Sequence, residues 1–172
     1  MCGYDYSQPN LYFITICTKN RKYLFGDIIE LENEQYIMDL NEMGKLIEWH
    51  WFQIPIHFTY VKLQEFVIMQ NQIHGIIEIM DDNVWARHVV PILKQQINEK
   101  YGNPTKNSIP TIIRSFKGAV SRKLNRIYKT SRKTICQRNY YEHIIRNDKS
   151  YQNICDYIQN NPTRWEFDKY YR

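Results

Sequence analysis

Two side chains in the middle of the chain, Gln72 and His74, are of types that can bind a metal ion. They lie two residues apart in a segment that reads as a strand, so both point to the same face, which Glu78 shares further along. Ile77 and Ile79 point to the opposite face. A lone histidine on a strand is more often structural than a ligand, so His74 by itself does not indicate a metal site.

A second pair of candidate residues, Tyr157 and Asn161, lies near the end of the chain. A phenol can act as a nucleophile, and residues four apart lie together on a helix. Both fall on the flank of an apolar stripe that consists of Tyr151, Ile154, Cys155 and Ile158. A flank tyrosine usually packs, and an asparagine before a proline usually ends a helix, so neither residue indicates a function alone.

Seven predicted elements must position these residues. Strands, marked by β-branched and aromatic residues, are predicted over residues 11–18, 60–69, 73–80 and 140–145. Helices, marked by apolar residues at helical spacing, are predicted over residues 33–51, 109–128 and 148–161. Either Asn147 or Asp148 can cap the last helix, and Pro162 forces it to stop.

The order of the elements is strand, helix, two strands, helix, strand, helix. Such a mixture predicts an α+β fold in which helices pack on an antiparallel sheet. The chain of 172 residues fits one domain, so we expect a single domain over residues 1–172. Residues 81–108 are polar and contain two prolines and a glycine, and they are expected to form a variable connection.

Positive charge is concentrated in one interval. Residues 100–141 hold eleven of the 23 basic residues and none of the 18 acidic residues, so the remainder of the chain is net acidic. A basic face on an otherwise acidic chain indicates a polyanion partner, and nucleic acid is favoured over a solvated basic helix without a partner. The expected contacts, on or just after the helix over residues 109–128, are Arg114, Lys117, Arg122, Lys123, Arg126 and Lys129.

The sequence gives no sign of a membrane segment. No apolar run approaches the roughly 18 residues that a membrane helix needs. The first residues lack the basic and apolar parts of a signal peptide. A cytoplasmic protein without membrane contact is therefore expected.

Four segments together resemble one known family. They are YFITICTKNRKYLFG (12–26), FVIMQNQIHGIIEI (66–79), QRNYYEHIIRND (137–148) and ICDYIQNNPTRW (154–165). In this order and spacing they resemble the REP-associated tyrosine transposases, which belong to the single-tyrosine HUH endonucleases. The resemblance covers the chain from about Tyr4 to Trp165, and it implies the ferredoxin-like or RRM-like sandwich of that superfamily.

The resemblance assigns roles to particular residues. The nucleophile corresponds to Tyr157, and its amide partner in the metal shell corresponds to Asn161. The second histidine of the two-histidine metal motif is His74, whereas the first has become Gln72. A further departure is Cys136, where similar proteins tend to have tryptophan.

The implied reaction is nicking and joining of single-stranded or hairpin DNA through a 5′-phosphotyrosine, assisted by Mg²⁺ or Mn²⁺. A glutamine oxygen is a ligand for a hard cation, so Gln72 predicts weaker metal binding, with nicking reduced or lost. The family includes dimers, but a monomer is weakly favoured over a homodimer. His143, Tyr140 and Tyr141 are interpreted as structural strand residues.

Two other functions stay open. One is a protein of the same ancestry that binds hairpin DNA but has lost its chemistry. The other, from the fold alone, is a sheet-based RNA-binding module.

Overall fold

The computed structural model describes residues 5–32, 35–81, 107–131 and 133–167. Short 3₁₀ turns lie at Lys19–Arg21 and Trp165–Phe167. The helices and strands are, in chain order, β1 (Asn10–Cys17), β2 (Gly26–Leu31), β3 (Gln35–Leu40), α1 (Glu42–Phe52), α2 (Ile54–His57), β4 (Val61–Ile68), β5 (Gln72–Ile79), α3 (Ile109–Ile127), β6 (Tyr141–Ile145) and α4 (Asp148–Gln159).

The centre of the fold is a four-stranded sheet in the order β4-β5-β1-β6. All three pairings are antiparallel. The two central strands are buried on both faces, which explains why their sequences are almost continuously apolar. With α1 and α3 inserted between the strands, this order is that of a ferredoxin-like sandwich. The predicted α+β fold is confirmed.

The alternation of side chains along the strands divides the core into two layers. Tyr12 and Ile14 of β1 and Ile77 of β5 pack against α1 and α3. Phe13 of β1 and Ile76 of β5 pack against α4 on the other side, together with Ile145, Cys155 and Ile158. We call the second side the α4 face. It is the side to which Gln72 and His74 point, because Cys17 and Thr15 are their cross-strand partners and share the face of Phe13.

Gly75 lets α1 lie close to the strand that carries His74. A Cβ at this position would clash with the Cζ2 atom of Trp51 and would lie 3.2 Å from the Cβ of Phe66. Trp51 is fully buried, and its ring stacks on Phe66 with 6.1 Å between the ring centroids. The absence of a side chain at Gly75 therefore permits Trp51 of α1 to pack directly on β5, the strand that carries His74.

A two-stranded hairpin, β2 paired with β3, was not predicted, and the predicted start of the first helix is wrong. Residues 35–40 form β3, and α1 begins only at Glu42. Asn41 caps it, because its side-chain oxygen accepts hydrogen bonds from the backbone N–H groups of Met43 and Gly44.

The other predicted elements are confirmed within about two residues. The last helix ends at Gln159, so Asn161 lies just beyond it. The predicted connection over residues 81–108 lies, apart from its ends, outside the described residues. No helix in the described ranges is long and apolar enough to cross a lipid bilayer.

Candidate active site

The structure brings together Tyr157 and His74, which are 83 residues apart in the sequence. The phenol oxygen of Tyr157 lies 3.2 Å from Nε2 of His74, within hydrogen-bonding distance. The two rings meet edge to face, with 5.1 Å between their centroids. His74 is fully buried, while 37% of Tyr157 is exposed. A buried imidazole thus lies behind a phenol that a large ligand can reach.

Thr15 holds the other nitrogen of the same imidazole. Its hydroxyl oxygen lies 2.9 Å from Nδ1 of His74, and the two residues are cross-strand partners on β1 and β5. Which atom donates depends on the tautomer. When Nδ1–H donates to Thr15, the lone pair of Nε2 is directed at the phenol. A hydrogen bond of this kind sets the tautomer of a functional histidine.

The ring of Phe13 packs against both the imidazole of His74 and the phenol of Tyr157. Its ring is stacked on His74 at a centroid distance of 5.7 Å, with 12° between the planes. Tyr157 meets the same ring edge-on at 6.0 Å. Phe13 is itself almost fully buried, so both rings pack against a fixed surface. The side chains of the site are held by packing as well as by hydrogen bonds.

Gln72 is enclosed on the same face as His74, at the start of β5. Its side chain is fully buried, and neither atom of its amide has a hydrogen-bond partner in the described part of the chain. The turn before it is fixed, because the Gln70 carbonyl accepts hydrogen bonds from the N–H groups of Leu24 and Phe25. Thr18 N–H donates to the Asn71 carbonyl as well. Burial of an amide without a partner is costly, so coordination or hydrogen bonding of the Gln72 amide by a ligand would be favourable.

A protein of Haemophilus influenzae, described only as uncharacterized, is 44% identical over 171 residues, which are 98% of this chain and 88% of the relative. The chain belongs to the same family as this Haemophilus protein. No protein-family model matches the chain.

The fold is shared with a solved structure of a REP-associated tyrosine transposase bound to a REP hairpin. The TM-score is 0.60, and the match covers 98% of this chain and 77% of that one. The sequence identity is only 17%, so the likeness establishes a common fold alone.

Asn161, the predicted third member of the metal shell, lies outside the helix on which it was placed. It follows the last turn of α4, where its backbone N–H donates to the Ile158 carbonyl at 3.3 Å. Its side chain is almost fully buried. Among the described residues, no three His, Cys, Asp or Glu side chains lie close enough together to hold a metal ion. The two other ligands that the resemblance assigns, Gln72 and Asn161, would each offer an amide oxygen.

Five of the six predicted DNA contacts are exposed, and they lie on or just after α3, on the opposite side of the sheet from Tyr157. They are Arg114, Arg122, Lys123, Arg126 and Lys129. Burial, and then the nearby charges of Lys123 and Arg122, lower the pKa of His50 on the neighbouring α1. This part of the α3 surface therefore carries a positive field.

Lys117, the sixth predicted contact, differs from the others. Its ammonium donates hydrogen bonds to the carbonyls of Gln137, Arg138 and Asn139 at 3.0, 3.3 and 3.0 Å. It also lies over the ring of Tyr140, and its burial lowers its pKa. An ammonium has three N–H groups, and all three are engaged here. Lys117 fastens the segment before β6 to α3.

Two features of the site were not predicted. Thr15 was missed, although a threonine within an otherwise apolar strand is the signal that could have found it. His143 was interpreted as structural, yet it is exposed on β6. It is the cross-strand partner of Phe13, and Tyr141 is the partner of Thr15. The alternation along β6 thus puts Tyr141 and His143 on the α4 face, beside the site.

Proposed function

We propose that this chain nicks and rejoins single-stranded DNA through a 5′-phosphotyrosine at Tyr157, acting on hairpin DNA. The observation that carries the proposal is the contact between the accessible phenol of Tyr157 and the buried imidazole of His74. A REP-associated tyrosine transposase bound to a REP hairpin has the same fold. The exposed cations of α3 supply the positive surface that a DNA ligand needs.

The reaction is an exchange of one phosphodiester for another. The phenol oxygen of Tyr157 attacks the phosphorus, the bond from phosphorus to the 3′ oxygen breaks, and the 3′ oxygen leaves as a hydroxyl with the phenol proton. The covalent link to the 5′ phosphate conserves the bond energy, so the reverse attack by a 3′ hydroxyl joins strands without another energy source. Phe13 and Thr15 hold the two rings in position while the exposed side of Tyr157 receives the DNA.

A divalent cation fits this site only with help from the DNA. His74 and the amide oxygens of Gln72 and Asn161 are the ligands that the chain would provide for Mg²⁺ or Mn²⁺, and the buried amide of Gln72 has no hydrogen-bond partner among the described residues. All three are neutral, whereas Mg²⁺ sites normally contain a carboxylate and take phosphate oxygens from the substrate. When bound, such an ion would neutralise charge on the scissile phosphate.

The nucleophile and the histidine come from one chain, which bears on the assembly. The contact between Tyr157 and His74 is made within a single protomer. We therefore propose that a monomer suffices for the chemical step.

A covalent-adduct assay tests the proposal. Purified protein is incubated with Mn²⁺ and a labelled palindromic DNA hairpin that carries a single-stranded extension, and protein–DNA adducts are separated under denaturing conditions. We expect an adduct with the wild type and none with Tyr157→Phe. Tyr128→Phe is the matched control, because 53% of Tyr128 is exposed at the end of α3, away from the site.

The alternatives give different results in the same experiment. Hairpin binding without an adduct at any Mn²⁺ concentration would overturn the proposed nicking activity and favour a DNA-binding protein that has lost its chemistry. The neutral Gln72 in place of a histidine makes this the second candidate. Tighter binding of an RNA with the same sequence would favour the sheet-based RNA-binding module.

A further inference from the structure

A groove of about 510 Å³ follows the outer edge of β6. Among the described strands, β6 pairs only with β1, so this edge of the sheet is open. The side chains that matter here are Tyr141, His143 and Arg146, which belong to its lining. None of them has a role in the chemical step described above.

The groove lies next to the candidate active site, because Tyr141 belongs to its lining. Tyr141, Thr15 and His74 are successive cross-strand partners, so they form one row across the α4 face. Two strand spacings separate Tyr141 from His74, which is about 10 Å. Tyr141 also meets the ring of Phe13 edge-on at a centroid distance of 6.4 Å, and Phe13 contacts Tyr157. A nucleotide next to a phosphate at Tyr157 would reach this groove.

The chemistry of the groove suits an unpaired nucleotide. Tyr141 is 47% exposed, and a base can stack on an exposed aromatic ring whatever its sequence. His143 lies two residues along β6 on the same face as Tyr141, and Arg146 follows the end of the strand in the groove lining. Both are exposed and can donate hydrogen bonds to a phosphate. Glu142 also lines the groove, but it is the cross-strand partner of Ile14, so it points to the other face, where burial and then the Glu142 carboxylate raise the pKa of Tyr140.

We propose that the β6 groove binds one nucleotide of the unpaired DNA that flanks the scissile phosphate, with its base on Tyr141 and its phosphate on Arg146 and His143. This inference rests on the proposed function and deepens it, because it names the part of the substrate that the site face recognises. Stacking is independent of base identity, so the subsite distinguishes single-stranded from paired DNA rather than one sequence from another.

Binding measurements in a Tyr157→Phe background separate recognition from chemistry. The probes are a palindromic DNA hairpin without an extension and the same hairpin with a single-stranded extension on its 5′ or its 3′ side. Tyr141→Ala is expected to weaken binding of one extended hairpin by about 5- to 150-fold, as for loss of one stacked base, and to leave the bare hairpin unchanged. Tyr141→Phe retains the ring and should restore the affinity.

Two further readouts report directly on the contacts. A 2-aminopurine base in the extension should lose fluorescence on binding through stacking, and Tyr141→Ala should abolish this quenching. Arg146→Gln should lower the salt dependence of binding by about one phosphate contact. Trp49→Ala is the matched control for loss of an exposed aromatic ring, because 58% of Trp49 is exposed on α1, across the sheet.

The outcomes are distinguishable. Equal loss of affinity for bare and extended hairpins, or no loss for either, would overturn the β6 subsite while leaving the proposed function intact. Failure of every hairpin to bind the parent Tyr157→Phe protein would overturn the proposed function and the subsite together.

Discussion

Replacement of Thr15 by valine tests whether the orientation of His74 matters for the chemistry. The substitution preserves the shape of the side chain and removes only the hydroxyl that lies 2.9 Å from Nδ1. Thr15 and His74 are almost completely buried, so bulk water does not readily replace the lost hydrogen bond. Both the stability and the tautomer of the imidazole should change.

The magnitudes follow from this burial. Loss of a partner from a buried polar group costs about 1–3 kcal/mol in the free energy of unfolding. For a chain of this length each kcal/mol lowers Tm by about 2–4 °C, so we expect Tm to fall by about 2–12 °C. A hydrogen bond worth about 1–1.4 kcal/mol biases the tautomer about five- to tenfold, so Thr15→Val should slow adduct formation by a similar factor.

Adduct formation, thermal unfolding and ¹⁵N NMR of the imidazole are measured for Thr15→Val and Thr15→Ser. The serine retains the hydroxyl, so it should restore the wild-type tautomer signature and most of the rate. A Thr15→Val protein that is destabilised but forms the adduct at the wild-type rate would refute the orienting role. So would a tautomer signature that does not differ from that of the wild type.

The remaining predictions concern three substitutions, at Gln72, Lys117 and Lys123. Gln72→His should lower the Mn²⁺ concentration needed for half-maximal nicking, because an imidazole replaces an amide ligand. Identical metal titrations of the variant and the wild type would place Gln72 outside the metal shell. Lys117→Met should lower the free energy of unfolding by about 2–4 kcal/mol, because three carbonyls lose a charged partner, without changing the salt dependence of DNA binding. Lys123→Met should leave Tm unchanged and lower the slope of log affinity for DNA against log salt concentration by about one. Calorimetry and salt titrations that give the reverse pattern would contradict the structural role of Lys117 and the DNA contact of Lys123.

Local sequence patterns predicted the four-stranded sheet and its three long helices, apart from the start of the first helix, but not the hairpin of β2 and β3. Tyr36, Ile37 and Leu40 have a spacing that also fits a helix, so periodicity assigned them to the start of α1. In the structure they form a half-exposed strand whose partner begins at Gly26, with a φ of +139°. Pairing with a partner strand decided between two local structures that the apolar pattern allowed.

The site was less predictable than the fold, because it depends on register and burial. Thr15 meets His74 only because β1 and β5 pair in one register, and a shift by one residue would turn its hydroxyl away. The approach of Tyr157 joins residues 83 positions apart, and the family resemblance, rather than any local pattern, suggested it. Lys117 has the same charge in the sequence as Lys123, and only tertiary structure shows that its ammonium is enclosed.

The positions of the charges also constrain how DNA can lie on the molecule. The exposed cations of α3 and the phenol of Tyr157 are on opposite sides of the sheet, so a DNA that contacts both must pass around the sheet, and the two edge strands can be compared as routes. At the β4 edge, exposed Lys62 is the cross-strand partner of Glu78, and Glu65 is exposed as well, so the two carboxylates outweigh the one cation and offer phosphate no net attraction.

The β6 edge has the opposite character. Lys117 ties the segment before β6 directly to α3, so the basic helix runs close to this edge, and Arg138 and Arg146 are exposed at the two ends of the strand. A hairpin stem on α3 and an unpaired nucleotide in the β6 groove can therefore belong to one bound DNA molecule. A DNA strand that runs from α3 around the β6 edge would pass the exposed Arg138 and Arg146 and would then reach Tyr157.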